Sequence, residues 1–370
     1  MASVAVIGAG VIGAAIADAM AARGARVTLF DMRGAGRGAS HASAGVLSPY
    51  IEATPGSVLL ALGTRSLAMW DDFAARVRAR GGDFEYARTG TLEVALTDDE
   101  ARHLQEQVAW LTAEGVAHRW LEPAQLRAHE PAVTPAALGG LQIDGHGFVH
   151  VPALVRALLQ AARLQGATLE TPAEVLHVEP AADGVALRQG DTRRRFDHVV
   201  IAAGSWSSRV KIAGATLPKV RPIRGQLLEL GWRDAAMPQQ STWGTKCYTV
   251  PWKNNHLLVG ATVEDVGFDE STTVDGVRGL LAAVTELLPG AAAAELVDVR
   301  VGLRPIADSK IPLIGPVPGV PHVTVATAHY RNGILLAPYT ADVISRLVLD
   351  GDADPALAMT TLGTSGAGPS

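Results

Sequence analysis

The apolar and small positions of the first thirty residues describe one complete unit. SVAVIGAGVIGAAIADAMAARGARVTLFD, residues 3–31, reads as a short apolar strand, a glycine turn, a helix with alanine-rich faces and a second strand ending on Asp31. Further on, residues 58–80 carry the amphipathic pattern of one long helix, and 90–150 alternates short strands (GTLEVAL, GGLQID) with helices bearing Leu104, Val108 and Leu111. VPALVRALLQAARLQG is another helix. Strands follow near EVLHVEP and GVALRQG, then a hairpin leads into FDHVVIAAGSWSS, residues 196–208, an apolar strand ending in Ala-Ala-Gly.

From 220 to 305 the pattern turns to strands, GQLLELG, KCYTVPW, HLLVGATVED and VDVRVGLRP, with one helix between at VDGVRGLLAAVTELLP, which predicts a largely antiparallel sheet. HVTVATAHYRNGILLAP then returns to strand-turn-helix, with the helix over 333–349. TTLGTSGAGPS, residues 360–370, has the composition of a disordered tail. The chemistry-bearing pieces are scattered among two inserted blocks, so the cofactor domain is expected to be discontinuous.

At 370 residues the chain exceeds one ordinary core, which favours two domains. A net charge of -5 without a long basic run argues against a nucleic-acid footprint and for small-molecule partners. DTRRRFD, with Arg193 to Arg195, reads as a solvated hairpin. A single cysteine, Cys247, excludes an internal disulfide framework and a clustered-thiolate metal site and suggests a reducing compartment, the cytoplasm. The apolar N-terminus lacks a basic region and carries Asp18, and no uninterrupted apolar span is long enough to cross a bilayer.

Gly8, Gly10 and Gly13 form GxGxxG. The first permits the tight turn, the second lets backbone approach a pyrophosphate, and the third allows close packing of helix on strand. The motif follows a strand, opens a helix and has an acid 18 residues beyond Gly13, which is the context of a dinucleotide site. Asp31 suits the adenosine ribose hydroxyls, although a surface carboxylate would look alike. Nicotinamide and flavin dinucleotides share this half, so the fingerprint leaves them open. GRGASHASAGVLSPY, residues 36–50, suits extended backbone against a flat ligand or a flexible loop. Arg304, set among glycine, prolines and aliphatics in RVGLRPIADSKIPLIGP, needs an anion, supplied either by an acid such as Asp308 or by a ligand.

Several motifs in order, VIGAGVIG with its following acid, SAGVL, VVIAAGSWS, CYTVPWKNNHLLVGATVEDVGFDE, GLRPIADSKIPLIG and HYRNGILLAP, span almost the whole chain. Together they resemble the D-amino-acid oxidase family of FAD-dependent amine oxidoreductases, within it the glycine oxidases of the thiamine-biosynthesis type. The resemblance implies a Rossmann-like α/β FAD-binding domain of the glutathione-reductase type, residues 1–80, 148–218 and 300–359, and an α+β substrate domain with a largely antiparallel sheet, residues 81–147 and 219–299. It also implies hydride removal from the carbon bearing the amine, with oxygen reoxidising the flavin to give hydrogen peroxide. Glycine, sarcosine and small D-amino acids are the implied substrates. A homotetramer is implied by analogy alone. A D-amino-acid dehydrogenase passing electrons to a quinone or other carrier, and a flavin-binding subunit without turnover, are the alternatives.

Position by position, the resemblance makes Arg304 the clamp on the substrate carboxylate and Tyr248 its helper. Arg331 lies beside the active site in either a catalytic or a structural role. The implied cofactor contacts are Gly8, Gly10, Val11, Ile12, Gly13, Asp31, Met32, Ser40, Ser43, Ala44, Gly45 and Val46. Further along they are Val178, Ala203, Gly204, Trp206, Arg304, Arg331, Asn332, Gly333 and Ile334. Val46, where glycine oxidases can carry methionine, and His329 are placed at the substrate pocket, and Ala328 stands where glycine is more usual. PIADSKIPLIG lacks the cysteine to which related sarcosine oxidases attach flavin, so FAD is expected to be non-covalent. No metal is expected. His329 and His41 are read as buried, satisfied histidines and not as general bases, because loss of hydride from a neutral amine asks the protein chiefly to position it.

Overall fold

The computed structural model describes residues 1–233 and 236–360. Strand β1 (Ser3–Ile7), helix α1 (Val11–Ala22) and strand β2 (Arg26–Phe30) form the expected βαβ unit. β1 is parallel to β2 in the register Val4↔Val27 and to His198–Ile201 in the register Val4↔His198. The six-stranded sheet runs Leu313–Pro316, Val323–Thr327, His198–Ile201, β1, β2, Thr168–Glu170, and only its first pair is antiparallel. These strands are apolar almost throughout because they are covered on both sides. One face packs under α1, Val151–Leu164 and Ala337–Asp350, and the other over a four-stranded sheet carrying Val178, Val185 and Leu187.

The second large sheet has eight strands in the order Glu295–Ala307, Val220–Gly231, His256–Gly260, Tyr248–Trp252, Ser241–Trp243, Thr91–Ala95, Gly139–Ile143, His118–Leu121. All its pairings are antiparallel except Ser241–Trp243 with Thr91–Ala95. The long pair Val220–Gly231 and Glu295–Ala307 stays in register from Val220↔Ala307 to Gly231↔Glu295 with one irregularity, and the boundary expected between residues 299 and 300 falls inside the latter strand. A three-stranded sheet has the order Val46–Leu47, Gly147–Val149, Tyr86–Ala87. In DTRRRFD, the outer part of the hairpin Gly184–Phe196, Arg193 and Arg195 are exposed and pair with Glu179 and Asp183, and half-buried Arg194 pairs with Glu170, while Phe196 and, on the partner strand, Val185 and Leu187 are buried.

Four elements differ from the sequence pattern. The helix expected over 58–80 is two, Val58–Ala68 and Trp70–Gly81, meeting at Met69, where Ser66 Oγ and Trp70 Nε1 both donate to the Leu335 carbonyl (2.6 and 3.0 Å). The strand expected through HLLVGATVED ends at Gly260. The last long helix begins at Ala337, four residues later than expected, with Pro338 in its first turn where the missing N–H costs nothing. Thr360, assigned to the tail, is buried, its hydroxyl donating to the Ile314 carbonyl at 2.9 Å, while residues 361–370 lie outside the described residues.

Burial sets the charge state of several groups. Buried His146, bonded to Thr91 Oγ1 at 2.7 Å, has its pKa lowered by burial to about 3, and burial lowers that of His198 to about 4. Both histidines favour the fold fully above 6.5 and lose that contribution as pH falls through these values. Glu93, buried without a charged partner, is pushed by desolvation from 4.5 to about 7, so its contribution is present below 4.5 and is lost as pH rises through about 7. Glu93→Gln is therefore expected to stabilise the protein at pH 8 by about 1–3 kcal/mol, with the gain vanishing toward pH 4. Thermal unfolding across this range checks it, and a pH-independent difference contradicts it.

Candidate active site

The glycine turn illustrates how the sequence builds the nucleotide end. A Cβ on Gly13 would stand 1.9 Å from the Gly8 carbonyl oxygen, and one on Gly8 (φ +107°) would meet the Ala202 carbonyl oxygen at 2.4 Å. These two glycines let α1 and the strand His198–Ile201 approach the turn. Gly10 differs: the nearest atom to its Cβ would be Ser40 Oγ at 3.4 Å, and it lines an open cavity. Gly10 caps α1 without a side-chain cap, and Val11 N donates to Ser40 Oγ at 3.0 Å, so the helix start turns backbone amides to this space. The Asp31 carboxylate is fixed by the amides of Ala9, Arg33 and Gly34 at 2.8, 2.9 and 2.9 Å.

From this turn a cavity of about 410 Å³ continues to Arg304. Gly8, Gly10, Val11, Ile12, Asp31, Met32, Ser40, Ser43, Ala44, Gly45, Val46, Ala203, Gly204, Trp206, Tyr248, Arg304, His329, Arg331, Asn332, Gly333 and Ile334 all line it. Two expected contacts do not. Gly13 lies beneath the turn, and Val178 is buried in the core with Val185 and Leu187 because its strand pairs with Gly184–Gln189. The wall there is formed by Ala173, Glu174, Val175 and Leu176, on the loop before that strand. The segment 36–50 is not simply extended, since Ala39–Ala42 forms a 3-10 turn that delivers Ser40.

Arg304, on the long strand Glu295–Ala307, closes the far end. Its guanidinium lies over Gly225, where a Cβ would stand 2.2 Å from Nη2, so that glycine makes its room. Nη1 donates to the carbonyls of Thr262 (3.0 Å) and Arg224 (3.4 Å), and among the described residues no carboxylate reaches ion-pair distance. Asp308, the alternative partner, is exposed and lies 3.9 Å from Arg221. Burial lowers the Arg304 pKa, with Arg331 acting in the same direction and Tyr248 and Glu52 opposing. Tyr248 stacks on Trp243 at 4.6 Å, and burial raises its phenol pKa, keeping the hydroxyl protonated.

Glu52 is the residue that sequence reasoning missed. It ends the short helix Pro49–Glu52, lines the cavity and stands 3.9 Å from Arg331. Burial raises its pKa against the pull of Arg331 and Arg304. Burial opposes the charge of Arg331 too, but Glu52 and Tyr330 outweigh it, and the Arg331 pKa is raised. No motif surrounds Glu52 in SPYIEATPG, and only the turn after Val46 brings it here. Buried His329 bonds Thr340 Oγ1 at 3.1 Å, and its pKa is lowered by burial to about 3, which leaves it neutral. His41 has its pKa lowered too, by burial and by Arg300 and Arg37. Ala328 has φ +59°, a left-handed conformation that glycine adopts without strain.

The donor set fits FAD: a glycine turn open to a pyrophosphate, a strand-end carboxylate beside it, and bare backbone at Ala203, Gly204 and Asn332 to Ile334 along the rest of the wall. Comparison with known proteins gives the class. The profile of the family described as FAD dependent oxidoreductase matches residues 3–347, and the chain belongs to that family. Within it the chain is similar to glycine oxidases. It is 34% identical to glycine oxidase of Geobacillus kaustophilus (strain HTA426) over 93% of this chain and 92% of that one. It is 32% identical to the bifunctional protein ThiO/ThiG of Nostoc sp. over 95% of this chain and 53% of that protein. The crystal structure of the Geobacillus kaustophilus glycine oxidase superposes with a TM-score of 0.93 at 33% identity over 100% of both chains.

The two glycines predict opposite outcomes. Gly13→Ala is expected to lower the stability of the protein stripped of FAD by about 1–3 kcal/mol through overpacking, although alanine ordinarily favours a helix. Gly10→Val is expected to leave that stability nearly unchanged and to weaken FAD binding. Thermal unfolding and flavin titration separate them, and equal effects on both quantities contradict the assignment.

Proposed function

We propose that this protein carries out FAD-dependent oxidative deamination of glycine and other small amines, including sarcosine and small D-amino acids, with oxygen as acceptor and an imine or oxoacid and hydrogen peroxide as products. The observation that carries this reading is Arg304, a cation in the cavity wall held by two backbone carbonyls and lacking a carboxylate partner among the described residues. An incoming carboxylate satisfies it with two parallel hydrogen bonds and fixes the orientation of the amino acid. The protonated Tyr248 hydroxyl is suited to donate to the same group.

Held along the glycine turn, Asp31 and the Ala203–Gly204 backbone, FAD would supply a two-electron acceptor for hydride from the carbon bearing the amine, to be reoxidised by oxygen. The chain's own residues hold the substrate for that event. Glu52, 3.9 Å from Arg331 at the same end of the cavity, offsets part of the charge of the two guanidiniums. Val46, Trp243 and Val263 give the cavity an apolar wall suited to substrates with little or no side chain. Neutral His329, held by Thr340, positions backbone and is not a base. FAD is held non-covalently in this reading: Cys247, the single cysteine, lines the cavity but packs into an apolar cluster, and burial pushes its thiol up to about 12, which keeps it from acting as the thiolate that would attach flavin.

Anaerobic addition of glycine, sarcosine or D-alanine is expected to bleach the flavin absorbance, and aerated turnover to release peroxide. Turnover with an artificial dye alone would make the protein a dehydrogenase, and absence of bleaching with all three amines would refute the reading. Arg304→Ala is expected to keep bound FAD and to lose about 2 to 5 kcal/mol of transition-state binding in kcat/KM. Unchanged kinetics would remove Arg304 from the site.

A further inference from the structure

The strand His256–Gly260 leaves its sheet at Gly260, and the chain then runs without helix or extended strand to the helix Val274–Leu287. This connection is tied down along its length. The Thr262 carbonyl accepts from Arg304 Nη1 at 3.0 Å. Two residues on, Glu264 pairs backbone to backbone with Arg224 in both directions (2.8 and 3.0 Å), and the buried Arg224 guanidinium holds the carboxylates of Glu264 and Asp269. The segment then reaches elements attached to the other large sheet. The Phe268 ring lies 5.7 Å from Trp206, the Arg209 guanidinium lies 4.0 Å from the centre of the Phe268 ring, and Glu270 pairs with Arg33 at 2.5 Å. Arg33 is itself 4.2 Å from the Trp206 ring.

Arg33, Trp206 and Arg209 line the cavity, Arg33 two residues beyond Asp31 on the nucleotide side. Phe268 and Glu270 do not line it and touch these three from outside. Nothing in the core of either sheet requires an aromatic ring and an acid at the end of a loop; Phe268 is 39% exposed even with its contacts made. Their contacts instead fix three side chains of the cofactor wall from the opposite sheet.

We propose that residues 262–270 form a strap that retains FAD, with Phe268 and Glu270 as its fastening and Trp206, Arg209 and Arg33 as the wall it holds shut. A dinucleotide leaving the cavity past these side chains has to break the ring contacts and the Arg33–Glu270 pair, so the strap acts chiefly on the release rate. The inference rests on FAD filling the cavity and is independent of which amine is oxidised. Because the strap begins at the carbonyl that supports Arg304, it also joins the cofactor wall to the substrate end through one short piece of backbone.

The test follows free-FAD fluorescence after dilution of the purified holoprotein. Phe268→Ala is expected to release FAD about tenfold faster, in keeping with loss of a ring pair and a cation–π contact. Glu270→Gln is expected to release it about threefold faster, and to lose the acceleration by added salt that the parent protein shows. Arg33→Glu is expected to release FAD fast and the double variant Arg33→Glu with Glu270→Arg to restore slow release, a rescue that general destabilisation would not give. Unfolding temperatures of the FAD-free variants equal to the parent's support the strap, while a release rate that changes only in step with those temperatures overturns it. Release within twofold of the parent in both Phe268→Ala and Glu270→Gln also overturns it. A parent protein that binds no FAD at all would instead refute the reading of the cavity.

Discussion

A guanidinium placed in a protein wall without an acid is costly, and the architecture of this site turns on how Arg304 is kept in that state. The strand Glu295–Ala307 presents it, Gly225 on the neighbouring strand leaves it room, and the carbonyls of Thr262 and Arg224 take part of its hydrogen-bonding capacity. The nearby acids are engaged elsewhere: Asp308 lies against Arg221, and Glu52 faces Arg331. Two guanidiniums and one carboxylate at the same end of the cavity leave a positive excess. In the proposed reading an incoming carboxylate would neutralise that excess and so favour amino acids over amines that lack an acid group.

The two large sheets divide the work. The parallel sheet contributes backbone: a glycine turn, an uncapped helix start and the Ala-Ala-Gly end of a strand, all of which can approach a dinucleotide closely. The antiparallel sheet contributes side chains, Tyr248 and Arg304, from strands that Val220–Gly231 and His256–Gly260 separate, and Tyr248 stacks on its cross-strand neighbour Trp243. Placing recognition on rigid strands and the cofactor on bare backbone lets each be set without disturbing the other. The connection 261–273 reaches from the second sheet to Trp206, Arg209 and Arg33, which are attached to the first.

The features legible in the sequence were those with local causes. GxGxxG between a strand and a helix can be read because turn, phosphate approach and packing each demand glycine at a fixed spacing, and the strands from 220 to 305 can be read because they are short runs rich in apolar and β-branched residues, most of them buried almost throughout. What failed depended on tertiary context. Val178 and Val175 are equally apolar, and only the pairing with Gly184–Gln189 decides that Val178 goes inward and Val175 meets the cavity. The break at Met69 follows from two donors sharing the Leu335 carbonyl, and the strand's end at Gly260 from Arg224 drawing Glu264 aside. Glu52 had no signal at all, because an isolated acid in a loop acquires meaning only when Arg331 arrives from far along the chain.

Acetate and acetamide have nearly the same size and differ in charge, and neither can be oxidised as an amine. Titration of the FAD-loaded protein with each, followed by the change in flavin absorbance, therefore asks directly whether the cavity holds a cation waiting for a carboxylate. The account predicts a saturable spectral change with acetate that acetamide does not reproduce even at concentrations a hundredfold higher, on the order of the 2–5 kcal/mol that a charge pair of this kind is worth. Equal binding of the two would contradict it.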